Sequence, residues 1–136
     1  RGWDGIQKAP ILGTSEKLTS ALGGAPGIEQ AGKAHYGAGS SGRVLSIVDV
    51  PVGSKGEADE IAQSIMDKLS MDWMTADVVI EGRPALHAGV IVELSDFGSR
   101  YSGKYIVEGC QHVFIAGSGL PYRTFLKLAR NGSPEP

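Results

Sequence analysis

SGKYIVEGCQHVFIA, residues 102–116, decides how the C-terminal half of this chain is read. Its apolar residues alternate, β-branched and aromatic types dominate, and polar turns flank it, so it reads as a long strand. Residues i and i+2 on a strand share a face. Strict alternation puts Ile106, Glu108, Cys110, His112 and Phe114 on one side. Tyr105, Val107, Gln111, Val113 and Ile115 fall on the other, with Gly109 between them. Cys110 is the only cysteine and His112 one of three histidines, so their shared face raises the question of a reactive pair. Same-face neighbours stand about 6.5–7 Å apart along the backbone, with side chains projecting in parallel. Contact is possible but not favoured. No helix start or Gly-rich loop precedes the cysteine to activate it. The pair reads as structural.

Working outward, WMTADVVIEG (73–82) and AGVIVELSDF (88–97) precede this strand, and PYRTFLKLARN (121–131) follows it. Turn signals at EGRPALHAG, DFGSRYSG and AGSGLP separate these runs, which predicts an antiparallel meander. Before them, SKGEADEIAQSIMDKLSMDW carries a helix signature. Ser54 and Glu57 fit a capping box. Ala58, Ile61, Ala62, Ile65, Met66 and Leu69 form one apolar stripe of helical period. Glu57, Asp59, Glu60, Asp67 and Lys68 lie off it and read as a solvated face. The helix should run about 15 residues. VLSIVDVPV (44–52) reads as a strand or extended segment closed by Pro51. Residues 14–42 are Gly-rich and poor in large apolar side chains, which predicts a flexible arm with one helical turn ended by Gly23.

The fold class expected is mainly β with one helix (α+β). The architecture is a small antiparallel barrel or curled sheet of four to five strands, capped by the amphipathic helix. The expected divisions are a strand and turn remnant at 1–13, the arm at 14–42, a helix-capped barrel domain at 43–131 and a tail at 132–136.

The 136 residues are 41% hydrophobic and 21% charged, with net charge −2. That balance gives no bulk reason to expect nucleic acid or an anionic membrane as partner. Arg123, Lys127 and Arg130 read as a solubilising strand face. No apolar run reaches the length of a membrane helix, no signal peptide is evident, and one cysteine precludes an internal disulfide framework. His35 and His87 have no metal-ligand spacing with Cys110 and His112, so neither metal nor cofactor is expected. GAGSSG (37–42) lacks the lysine and helix of a phosphate loop. No carboxylate pair is singled out, and no catalytic residue is assigned. Tyr101, Tyr105, Tyr122, Phe114 and Phe125 read as core and interface anchors rather than a nucleic-acid stacking surface.

Two segments resemble one family. RGWDGIQKAPILGTS resembles phage tail hub proteins through Gly2, Trp3, Asp4, Lys8, Ile11 and Gly13. The C-terminal half matches the same family through Gly82, Pro84, Leu86, Gly89, Ser102, Gly103, Tyr105, Val107, His112, Tyr122, Thr124, Phe125 and Arg130. The family is the late control gene D type of contractile tail hub, with the related type VI spike hubs and extracellular injection particles. Gly5 stands where the family usually has proline, and the Gly-rich arm is unmatched.

The resemblance implies a five-stranded pseudobarrel capped by a helix, and a homotrimer joining tail tube to spike within a virion or phage-tail-like particle. It implies a structural, non-enzymatic role and a fragment of a longer protein. The structural and interface candidates are Trp3, Asp4, Tyr105, His112, Tyr122, Thr124, Phe125 and Arg130. The alternatives are a small peptide- or glycan-binding module and a tail domain associated with a cell-wall hydrolase.

Overall fold

A computed structural model describes residues 1–27, 31, 44–117, 119 and 121–133. The fold is mostly β with one main helix, and its largest sheet is a curled antiparallel half-barrel of four strands. The chain divides into two compact units. The first holds 1–20 and 28–70, and the second holds 21–27 and 71–136. The expected arm therefore contributes to both. His35 and GAGSSG lie outside the described residues.

In the first unit, β1 (Gly2–Asp4) and β2 (Ala9–Ile11) form a short hairpin. Asp4 makes its turn: Oδ1 accepts from the amides of Ile6 at 2.8 Å and Gln7 at 3.0 Å, the local bonding that suits aspartate to turns. Helix α1 runs Lys55–Ser70, close to the length its stripe predicts. The Ser54 hydroxyl accepts from Glu57 N at 3.2 Å. The Glu57 carboxylate reaches back one residue further than in the standard box, to Gly53 N at 2.8 Å. Ala58 is buried, because the chain at Gly13 lies directly on its backbone and a Cβ at Gly13 would overlap it.

One expectation is narrowed in this unit and another fails. Of the two readings of residues 44–52, the strand is not found: they pair in no sheet among the described residues, and Val44, Leu45 and Val48 are exposed. Residues 14–20 form no helical turn but an extended strap along α1. Thr14 N donates to Asp59 at 3.0 Å, and Thr19 donates to Asp67 through its amide at 2.9 Å and its hydroxyl at 2.6 Å. Gln63 lies between, bonded to the Ser15 hydroxyl and to the Lys17 carbonyl. Positions 59, 63 and 67 share one helix face. The face read as solvated binds the strap at Asp59 and Asp67.

In the second unit the sheet comprises β4 (Met74–Glu81), β5 (Ile91–Leu94), β6 (Gly103–Phe114) and β7 (Tyr122–Arg130), in the order β4-β7-β6-β5. This is a Greek-key order, not a meander, since the consecutive strands β4 and β5 lie at opposite edges. The meander expectation treated every turn signal as a hairpin. Residues 82–90 instead form a crossover. A short helix, α2 (Gly98–Tyr101), joins β5 to β6. Short strands β3 (Ala25–Pro26) and β8 (Gly132–Ser133) pair with each other, and the Asn131 side chain accepts from Leu22 N at 2.6 Å.

Tyr105, Val107, Leu126 and Leu128 form the core of this sheet, with Met74, Ala76, Val78, Ile80, Leu86, Val92, Leu94 and Cys110 packed around them. A β-bulge between Val107 and Gly109 resets the alternation of β6. Val107 lies opposite Leu128, yet Cys110 lies opposite Leu126 and His112 opposite Thr124. Directly opposed residues share a face. Cys110 and His112 therefore join Tyr105 and Val107 on the inner face, which corrects the two-face assignment from strict alternation. A glycine inside a strand is the signal of such a bulge, and here it is Gly109.

Candidate functional site

The structure gathers most of the sequence-selected residues into two clusters in the second unit. The first lies on the crossover. Because β4 and β5 occupy opposite edges, residues 82–90 must pass β7 and β6, and they do so over the inner face. Gly82 N donates to Tyr122 O at 3.0 Å, and Arg83 N to the Thr124 hydroxyl at 3.0 Å. The Tyr122 ring lies against Gly82 so closely that a Cβ would overlap it. Leu86 packs into the core, and its carbonyl meets His112 Nε2 at 3.0 Å and Cys110 Sγ at 3.3 Å. Gly89 N then donates to Val107 O at 2.8 Å, which delivers the chain to β5.

His112 is the pivot. Its Nδ1 lies 3.0 Å from both the Thr124 and the Tyr122 hydroxyls. Cys110 Sγ lies 3.4 Å from Nε2, so the contact that parallel projection disfavours is made. The bulge turns both side chains inward, and the Leu86 carbonyl draws them together.

Contact alone does not make a nucleophile. A carbonyl oxygen only accepts, so the bond to Leu86 assigns the proton to Nε2. The lone pair needed to take the thiol proton is then absent at the nitrogen beside sulfur. The other nitrogen faces two hydroxyls, and among the described residues no carboxylate orients the ring. The thiol hydrogen points to the same Leu86 oxygen. This arrangement holds the crossover, a task that needs donors at that carbonyl and an acceptor at Nδ1. Among the described residues, no group of three or more Cys, His, Asp or Glu could hold a metal ion.

The second cluster lies where α2 meets β6. The last turn of a helix leaves carbonyls without partners. Arg130 Nη2 donates to Arg100 O, Tyr105 Oη to Tyr101 O at 2.8 Å, and Arg130 Nη1 to Ser102 O at 2.9 Å. Three successive carbonyls are thus met by two side chains. The Arg130 guanidinium sits over the Tyr105 ring, 4.6 Å from its centroid, a cation–π geometry. Arg130 is 0% exposed and Tyr105 1% exposed. Burial pushes the Tyr105 phenol up, and the Arg130 charge offsets part of that.

Arg130 is thereby a buried strut, not part of a solubilising face. The other two basic residues do lie outward, each opposite a carboxylate in register: Lys127 opposite Asp77, and Arg123 opposite Glu81. Phe125 lies between them, exposed and opposite Val79.

Of the aromatic residues read as anchors, Tyr105 alone is core. Tyr122 is half-buried, Tyr101 is 53% exposed and Phe114 is 73% exposed. Trp3 and Asp4 belong to the hairpin of the first unit; Trp3 is 63% exposed and Asp4 shapes the turn. Two features escaped the sequence reading, the backbone roles on the crossover and the polar row on α1. Leu86 and Arg83 act through backbone atoms, which leave no mark on residue type. Asp59, Gln63 and Asp67 form a polar i, i+4, i+8 row, a pattern a sequence does carry.

Among the described residues, no helix is long and apolar enough to cross a membrane. No family model, curated protein or solved structure matches the chain.

Proposed function

We propose that this chain is a structural hub module of a contractile tail or injection particle, working as a homotrimer that joins tail tube to spike. One observation carries the reading: the half-barrel has two edges of opposite chain direction. Four antiparallel strands place β4 and β5 at the borders, and among the described residues neither has a strand on its outer side. The β5 edge of one copy can therefore pair antiparallel with the β4 edge of the next, all copies pointing the same way. Heterologous contacts of this kind close into rings and remove exposed edges. In this reading a strand from elsewhere completes a five-stranded pseudobarrel.

The two clusters support a non-catalytic role. Their polar atoms are engaged by backbone carbonyls and amides and by one another, and His112, Tyr122 and Thr124 serve as register struts. The resemblance at these same positions supplies the hub assignment and the location in a virion or phage-tail-like particle. A second reading, a small module binding peptide or glycan, is favoured by the exposed rings of Tyr101, Phe114 and Phe125.

Native mass measurement from low to high micromolar concentration separates the two. The hub reading expects a trimer that grows with concentration. A monodisperse monomer throughout contradicts it.

A further inference from the structure

We propose that the outer face of the half-barrel, around Val79 and Phe125, is a self-complementary surface that pairs with the same face of a second copy about a two-fold axis. The inference concerns a face rather than the sheet edges, and it does not rest on the hub reading. The charge rows lead to it. Along β4 the outward residues Asp77, Val79 and Glu81 are exposed. Directly opposite them on β7 are Lys127, Phe125 and Arg123. Lys127 and Phe125 are exposed, and Arg123 is half-buried. One strand thus carries an acidic row and its neighbour a basic row, with an apolar pair between them. Neither Asp77 with Lys127 nor Glu81 with Arg123 closes to an ion pair; among the described residues the one salt bridge is Lys55 with Asp59.

This pattern selects its partner. A partner of one sign, a nucleic acid or an acidic peptide, is attracted by one row and repelled by the other. A neutral apolar partner buries both rows without matching them. A second copy does match them. Turned about an axis parallel to the strands and running between β4 and β7, it sets its basic row over the acidic row at the same height. Asp77 then meets Lys127 of the second copy, Glu81 meets Arg123 of the second copy, and Val79 meets Phe125 of the second copy. The two-fold makes each of these contacts twice. The strands of both sheets run in one direction, as in aligned face-to-face packing. The shape agrees with the charges. A shallow hollow of about 410 Å³ spans β4, β7 and β6 here, lined by Asp77, Val79, Gly109, Gln111, Phe125 and Lys127. Gly109 brings no side chain to fill it, and a Cβ there would meet only Lys127 within 4 Å, at 3.7 Å. The Phe125 ring of the second copy enters this hollow over Val79, which takes two exposed apolar side chains out of water.

Native mass measurement on the full chain at low ionic strength, from low to high micromolar concentration, tests the pairing by charge reversal. Asp77→Lys with Glu81→Lys makes the face all basic, and Arg123→Glu with Lys127→Glu makes it all acidic. Each alone is expected to weaken two-fold association about a hundredfold. Mixed in equal amounts, the two should pair with each other as readily as the wild type pairs with itself, in a hetero-pair recognised by its mass. The fourfold variant exchanges the rows, restores the match across β4 and β7, and should pair with itself again. Phe125→Thr keeps every charge and suits a strand; it should weaken pairing about tenfold, and it decides the matter if a reversed variant fails to fold. A wild-type chain that forms no two-fold pair overturns the proposal. So do folded reversed variants that pair as the wild type does, or whose mixture forms no hetero-pair. Absence of a trimer with this charge response intact counts against the hub reading alone, because edge pairing uses the backbone of β4 and β5.

Discussion

Each of the two units is stabilised internally by different physics. The second is organised around a sheet whose inner face is apolar, and its polar clusters lie within or against that face. Among its described residues the first buries Ile11, Ala58 and Ser70, and it holds the strap to α1 by hydrogen bonds. A buried polar atom that loses its partner cannot turn to water, so changes in the second unit should be costly. An exposed one can, so changes in the first should act on motion more than on stability.

The largest effect is expected at Arg130. Arg130→Ala removes the donors to the Arg100 and Ser102 carbonyls and leaves a void beside Tyr105. Thermal unfolding should show a loss of about 4 kcal/mol. Arg130→Lys should recover little of it, because an ammonium cannot span two carbonyls while lying flat on a ring. Leu128→Ala in the core should cost about 3 kcal/mol by the same measurement. Thr124→Val is smaller, about 1–2 kcal/mol, since it deletes the acceptor for Arg83 N and keeps the shape. Its specific mark is faster exchange of the Arg83 amide.

The smallest effect belongs to the first unit and appears in acid. The Lys55 ammonium and Thr14 amide hold the Asp59 carboxyl below its usual 3.8, and Thr19 does the same for Asp67. Folded-state values below the unfolded ones contribute stability that is present above 3.8 and is lost as pH falls through the lower, folded values. The Thr14 and Thr19 amide shifts should therefore move with the two carboxyl carbons below pH 3.8 in a nuclear magnetic resonance titration. Movement at pH 5–6 would break the comparison, since it would tie the strap to other groups.

The same contrast explains how much could be read from the residues alone. Four strands and one helix were legible because burial imposes a period on residue type, and in the second unit burial dominates. The capping box was legible because its side chains act locally. The Greek-key order was not, since the crossover is held through Leu86 O and Arg83 N, atoms every residue has. The faces of β6 were misread because one bulge residue inverts the alternation after it, and Gly109 was the cue. Arg130 looked like a surface charge because its partners are carbonyls and a ring rather than a carboxylate. The strap was read as loose because it has few large apolar side chains; its order comes from the polar row on α1.

The central claim is that the β4 and β5 edges are pairing surfaces between copies. Amide hydrogen exchange along Met74–Glu81, measured against protein concentration, tests it directly. The amides of β4 that face away from β7 should be open in dilute solution and become protected as the trimer forms, together with those on the outer edge of Ile91–Leu94. If the trimer forms while both sets of amides stay open, the edges are not the interface and the account is wrong.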